Sequence, residues 1–148
     1  MSQTNQTDMT STVTMLKTMR EVGMHLDGLY TKIQELGTLA ATSLGGGKRA
    51  QITGLESIAN SALKVGDVRD YIKIRTARQR EWLTHGLGKE LLAFIENDLE
   101  RKRTETCKTL GLNQPMQQQQ VYLLFIRELV RQLAAQYEYA LKMNKADA

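Results

Sequence analysis

Apolar residues recur every seven positions in the segment that follows a polar beginning. One series is Met15, Val22, Leu29 and Leu36, and the other is Met19, Leu26, Ile33 and Ala40. This repeat predicts a long helix with a narrow apolar seam, as in a coiled coil or a long bundle helix. Each glycine in it weakens such a helix by about 1 kcal/mol relative to alanine, so we expect it to need a partner helix. The seam residues that form the candidate interface are Leu26, Leu29, Ile33 and Leu36.

Four further helices are predicted from apolar positions spaced three and four residues apart, over residues 53–64, 68–84, 87–109 and 117–143. The run Thr53–Glu56 has the spacing of a capping box. Gly66 is expected to end that helix, Asp67 to cap the next, and Gly111 to end the fourth. No segment alternates with period two for long enough to predict a strand. We therefore predict an all-α fold of about five helices in a compact bundle, with a long heptad-patterned first helix.

The chain is expected to form one domain. Residues 1–11 lack periodicity and are predicted to be a mobile tail, with residues 12–148 as a single helical domain. A glycine-rich break, Ser43–Arg49, separates the first two predicted helices. It differs from a phosphate-binding P-loop because Thr42 and Arg49 stand where that motif needs glycine and serine or threonine, and no strand precedes it. We interpret it as a linker.

Composition narrows the class of protein. The chain has 148 residues, of which 41% are apolar and 24% charged, as in ordinary globular domains. Its net charge of +4 allows an anionic partner without requiring one. A single cysteine, Cys107, cannot form an internal disulfide and fits a reducing compartment. There is no apolar run of 18 residues and no recognisable secretory signal, so we expect a cytoplasmic protein outside the membrane.

The predicted third helix is strongly basic. From residue 69 to residue 80 it carries five cations against one anion, Asp70, whereas residues 84–110 carry five of each sign. The cations are Arg69, Lys73, Arg75, Arg78 and Arg80, with Lys48 and Arg49 on the glycine-rich break as possible helpers. Such clustering is typical of a surface that binds nucleic acid phosphates, although a solvated outer face has the same composition. Tyr71 and Trp82 could stack on bases or lie in the core, and Arg127 and Arg131 could extend the surface or flank the last helix's seam.

Catalytic and metal-binding patterns are weak. His25 and His85 are far apart, and neither has a cysteine or carboxylate at a ligand-like offset. A lone cysteine needs a specific electropositive setting to be reactive. The carboxylates of the predicted third and fourth helices are interpreted as helix caps and solvated charges rather than as general acids or metal ligands. We expect a protein that is not an enzyme and that has no cofactor and no metal.

Two segments resemble a known family. Tyr71, followed fourteen residues later by His85-Gly86-Leu87-Gly88 and a helix with Leu-Ala-Phe, is similar to the signature of the small helical subunit of type III CRISPR effector complexes, the RNA-targeting Cmr type. Tyr122 and Glu128 in an apolar helix resemble that family's last helix, so that residues 71–94 and 122–141 carry the likeness. His85 replaces an asparagine of the family, no proline precedes the turn, and the Trp-Lys-Arg ending is missing.

The resemblance implies a noncatalytic subunit stacked head-to-tail in several copies beside a guide-bearing backbone, in antiviral defence. The implied partners are RNA, as target or guide backbone, other subunits of the same complex and copies of the chain itself. The first hypothesis is therefore an RNA-binding scaffold in a ribonucleoprotein. The residues expected to contact the RNA are the five cations of the predicted third helix, with Lys48 and Arg49 as helpers. The alternative is a helical adapter that pairs through the seam of residues 15–40 and binds no nucleic acid. A DNA-binding regulator is disfavoured because no helix-turn-helix is evident.

Overall fold

The computed structural model describes the backbone of residues 12–147 and the side chains of residues 12–144. In chain order the helices are α1 (Thr12–Asp27), α2 (Tyr30–Leu44), α3 (Arg49–Ser61), α4 (Val65–Arg78), α5 (Arg80–Thr84), α6 (Leu87–Ala93), α7 (Glu100–Leu110) and α8 (Pro115–Asp147). A π-helical turn, Phe94–Leu99, joins α6 to α7 without a break, and a 3₁₀ turn, Gly46–Lys48, precedes α3. These residues therefore form seven separate helices and no strand, which confirms the all-α class. The predicted tail 1–11 lies outside the described residues.

The predicted long first helix is two helices. α1 ends at Asp27 and α2 begins at Tyr30, so the helix is interrupted at Gly28 and Leu29. A similar interruption at Gln79, whose backbone is extended (φ −116°, ψ 113°), divides the predicted third helix into α4 and α5. These two breaks account for the difference between the five predicted helices and the seven observed.

The apolar seam of the first two helices is filled within the chain. Most of the seam is buried, and only Met19, 54% exposed, lies open to solvent. The partner helix is α8, against which α2 packs most closely. A Cβ on Gly37 would lie 2.5 Å from Gln136 Cβ and 2.9 Å from the Leu133 carbonyl oxygen, so the close approach of α2 to α8 needs glycine. The candidate interface residues Leu26, Leu29, Ile33 and Leu36 are buried in this core, and the surface that the adapter hypothesis required is covered.

α8 is the central element of the fold. It begins with Pro115, whose fixed φ suits the first position of a helix, and runs for 33 residues. Helices α1, α2, α3 and α7 pack around it. Two of its tyrosines are buried and reach out to backbone carbonyls: the Tyr122 hydroxyl donates to Ile95 at 2.7 Å and the Tyr137 hydroxyl to Gly45 at 2.5 Å. One continuous hydrophobic cluster includes buried residues from every helix.

Helix ends differ from the predicted ones where distant residues satisfy the backbone. α3 begins at Arg49, and Thr53 lies inside it with its hydroxyl donating to the Arg49 carbonyl, so the predicted capping box is wrong. α4 begins at Val65 because the Val65 N–H donates to Gln119 Oε1 of α8 at 2.9 Å. Asp67 therefore lies in the first turn of α4 and does not cap it.

The predicted stop at Gly111 is confirmed. Gly111 has φ of 71°, its N–H donates to the Lys108 carbonyl, and the Leu112 N–H donates to the Cys107 carbonyl. This pair of hydrogen bonds is the Schellman motif, in which glycine is favoured because the residue is left-handed. Leu112 is buried beyond the turn, which fixes the direction of the chain into α8.

Candidate nucleic-acid interface

The basic surface is built on α4 and α5, which are held to the bundle by their apolar residues. Val65, Val68 and Ile72 form the buried stripe of α4, and Trp82 anchors α5 in the core. The Trp82 indole N–H donates to Gln51 Oε1 at 2.6 Å. Because Trp82 is fully buried, it belongs to the core and is not a base-stacking residue.

Tyr71 is half-buried, and its ring is also occupied. Its hydroxyl donates to the Gln51 carbonyl at 2.8 Å, and it lies so close to Gly54 that a Cβ there would clash. The Arg75 guanidinium carbon lies 4.9 Å from the Tyr71 ring centroid, in a cation–π contact. Arg75 is therefore held in place by Tyr71 and covers one face of its ring.

The cations of α4 spread around its exposed half. With 3.6 residues per turn, the buried stripe of α4 lies in the arc of about 120° between Arg75 and Arg69. Lys73 and Arg78 lie on the remaining, outer arc of the helix, about 140° from each other. Lys73 and Arg78 are exposed and have no ion pair among the described residues. Arg69, 34% exposed, lies 3.7 Å from Glu96, so its charge is partly compensated. Burial raises the pKa of the Tyr122 hydroxyl, and the nearby positive charge of Arg69 offsets part of this shift.

Arg80 lies on a different helix from the other four cations of the cluster. α4 ends at Arg78, and the extended backbone of Gln79 places Arg80 at the start of α5. Arg80 is exposed and, like Lys73 and Arg78, has no ion pair within the part of the chain that the structure describes. We name Lys73, Arg78 and Arg80 the free cations of this surface.

The two helper residues, at the start of α3 and just before it, are engaged with carboxylates. Lys48 Nζ lies 4.0 Å from Glu81 of α5, which brings the start of α3 beside the basic surface. Arg49 binds Glu138 of α8 through two hydrogen bonds, of 2.7 and 3.0 Å, and this contact raises the pKa of Arg49. Arg49 is therefore directed toward α8 rather than toward α4.

Arg127 and Arg131 do not extend the surface. Arg127 donates from Nε to the Ala59 carbonyl at 3.0 Å and from Nη2 to the Ala62 carbonyl at 3.4 Å, which satisfies the end of α3. Arg131 is paired with Glu128, and this hydrogen bond lowers the pKa of that carboxyl. Both arginines have structural partners on or beside α8.

The residues that carry the family resemblance have packing roles here. Gly86 has φ of 79°, a conformation that favours glycine. A Cβ on Gly88 would overlap the Thr76 hydroxyl, so Gly88 allows α6 to approach α4. His85 is exposed. The motif therefore fixes the turn and the contact that holds α4 against the bundle.

No metal centre is evident in the described part of the chain, which contains no group of three histidine, cysteine or carboxylate residues placed to hold an ion. His25 lies 3.9 Å from Glu21 and 3.7 Å from Glu105 at the contact of α1 with α7. Cys107 is buried, and burial raises the pKa of its thiol. A buried thiol with a raised pKa is a poor nucleophile.

Glu81, Glu96 and Glu138 approach the basic residues from helices outside α4. Sequence reasoning missed these contacts because each joins residues that are distant along the chain. A local count of charges contains no signal for them.

The described residues define an all-α protein with an exposed basic surface on two adjoining helices. Among them, no helix has the length and apolar character needed to cross a membrane. No protein-family model, no curated protein and no solved structure matches the chain.

Proposed function

We propose that this chain is a noncatalytic scaffold protein of a cytoplasmic ribonucleoprotein, and that it binds the RNA phosphate backbone through α4 and α5. The observation that carries the proposal is the presence of three exposed cations, Lys73, Arg78 and Arg80, with no carboxylate partner among the described residues. Arg75, held on the Tyr71 ring, adds a preorganised guanidinium beside them. Such a surface contacts phosphates and carries no base-reading aromatic, so binding is expected to be independent of sequence.

The choice of RNA as the nucleic acid comes from the resemblance to the small subunit of type III CRISPR complexes. The same resemblance supports assembly with other subunits and with copies of this chain. The surface charge itself supports phosphate binding of either RNA or DNA.

The test is a salt titration of binding to a fluorescent single-stranded RNA of 24 nucleotides, with duplex DNA of the same sequence beside it. The variant Lys73→Gln/Arg78→Gln/Arg80→Gln removes the three free cations. Each lost phosphate contact should reduce the slope of log affinity against log salt by about 0.7, so the triple variant should lose about 2 from the slope.

The matched control is Lys17→Gln/Arg20→Gln/Lys108→Gln, which removes three exposed cations from α1 and α7 and changes the net charge equally. It should retain most of the RNA affinity and slope. An equal loss in both triple variants would show a nonspecific effect of net charge. No loss in the α4–α5 variant would show that RNA does not bind this surface, and tighter binding to the duplex DNA would overturn the choice of RNA.

A further inference from the structure

An open groove of about 250 Å³ lies between α2 and the helix formed by α6 and the π turn. Leu36 and Phe94 form its apolar floor, with the half-buried Leu39 beside them. This volume is below the roughly 300–1,000 Å³ of pockets that enclose small molecules. An open groove of this size fits one or two side chains of a protein segment.

The rim of the groove is acidic. Glu35 of α2 and Glu90 of α6 are exposed and have no ion pair among the described residues. Asp98 is buried at the same groove, where it binds Lys32 Nζ at 2.8 Å and lies 3.7 Å from Arg101 Nη2. Asp98 therefore has two cations beside it, whereas the two carboxylates on the rim have none and are free to bind a further positive charge.

The π turn Phe94–Leu99 shapes this groove. Phe94, Ile95, Asp98 and Leu99 are all buried, so the helix here presents a buried face wide enough for two neighbours. Phe94 and Asp98 line the groove beside α2, while Ile95 lies under α8, where its carbonyl accepts the Tyr122 hydroxyl. π turns are rare and are found frequently at functional sites. The turn is an observation independent of the charges, and it points to the same place.

We propose that this groove binds a basic segment of another protein, with an aliphatic side chain on Leu36, Leu39 and Phe94 and an arginine or lysine between Glu35 and Glu90. Arginine suits this position because its planar guanidinium can bind carboxylates through paired hydrogen bonds. The carboxylates repel RNA, so the groove and the basic surface of α4 and α5 take different partners.

A second copy of this chain offers similar chemistry, because the exposed Ile74 of α4 stands beside Lys73 and four residues before Arg78. The proposed function assigns these cations to RNA, and only in this respect does the groove proposal rest on it. The occupant is therefore a different protein, and self-association is one outcome of the test.

The test begins with selection of random 12-residue peptides on the wild-type protein, followed by removal of those that also bind Glu35→Gln/Glu90→Gln. The remaining peptides are expected to carry arginine or lysine next to leucine, isoleucine or valine. One of them is then synthesised with a fluorescent label, and also with citrulline in place of arginine or norleucine in place of lysine. The double variant and the uncharged peptide should each weaken binding at least fivefold.

The control variant Asp27→Asn/Asp70→Asn removes two exposed carboxylates with no ion pair in the described residues and should change peptide affinity less than twofold. Amide shifts on peptide binding should occur at Leu36, Leu39 and Phe94. Failure to recover any peptide that discriminates the variant, or equal loss in both double variants, would overturn the proposal.

Measurement of mass by light scattering separates the second copy from a different protein. A wild-type oligomer that is lost in Glu35→Gln/Glu90→Gln and also in the α4–α5 triple variant would assign the groove to a second copy and overturn the proposal. RNA affinity should be at least as high in Glu35→Gln/Glu90→Gln as in the wild type. Loss of RNA binding and loss of peptide binding are thus separate results.

Discussion

Gln51 connects the two aromatic residues of the basic segment to α3. Its side-chain oxygen accepts the Trp82 indole N–H, and its backbone carbonyl accepts the Tyr71 hydroxyl. Trp82 is fully buried, so its N–H has no water to bind in place of Gln51. One residue of α3 therefore positions both α4 and α5, and with them the cations that the proposed function needs.

Gln51→Leu should destabilise the protein by about 1–3 kcal/mol, because the buried indole N–H loses its acceptor while the volume at residue 51 changes little. Urea unfolding followed by circular dichroism measures the change. The control Gln120→Leu alters an exposed glutamine of α8 and should stay within about 0.5 kcal/mol of the wild type. Equal stability of the two variants would show that Gln51 does not hold Trp82.

At the scale of elements, periodicity located most helices, and contacts between helices decided their ends. The apolar repeat of α1 and α2 passes through Gly28 because residues on both sides of the break face the same core, so the pattern does not register the interruption. The start of α4 depends on Gln119, which lies 54 residues further along the chain. Gly111 was predictable because its stop is made by neighbouring residues.

In the candidate site, too, features set by neighbouring residues were predictable, and features set by contacts between helices were not. The identity of the cations on α4 and α5 was readable from the sequence, because charge clustering is local. The partners of Arg69 and Arg49 were not, since Glu96 and Glu138 come from other helices. The groove beside the π turn was missed for this reason too, because Glu35 and Glu90 meet only in the folded chain.

Gly37→Ala tests the contact of α2 with α8. The new Cβ would meet the Leu133 backbone carbonyl and Gln136 Cβ, neither of which is the free end of a side chain. The helices must separate slightly, and we expect a loss of about 1–3 kcal/mol in the free energy of unfolding. Gly23→Ala is the control, since nothing lies within 4 Å of its added Cβ, and it should stabilise α1 by about 0.4–1 kcal/mol. Chemical denaturation measures the free energy of unfolding of the two variants. A change in the same direction in both would contradict this explanation of the contact between α2 and α8.

For the whole molecule, α8 is the element that the other helices share, and the residues packed on it belong to one cooperative core. The seam of α1 and α2 is part of this core, so its residues should act through the stability of the chain rather than through association. Leu29 is buried at the break between the two helices. A substitution there distinguishes an effect on the stability of the chain from an effect on association between chains.

Leu29→Glu should lower the free energy of unfolding by at least about 2–5 kcal/mol, because the variant loses a buried apolar side chain and buries a carboxylate in its place. Leu16→Glu introduces the same charge at an exposed position of α1 and should change stability by less than about 0.5 kcal/mol. Thermal unfolding measures stability, and light scattering at the same concentrations measures mass. If Leu29→Glu unfolded at the wild-type temperature but lost an oligomer that the wild type forms, the seam would be an interface between chains. A lowered unfolding temperature with unchanged mass of the folded protein is the result that the buried seam requires.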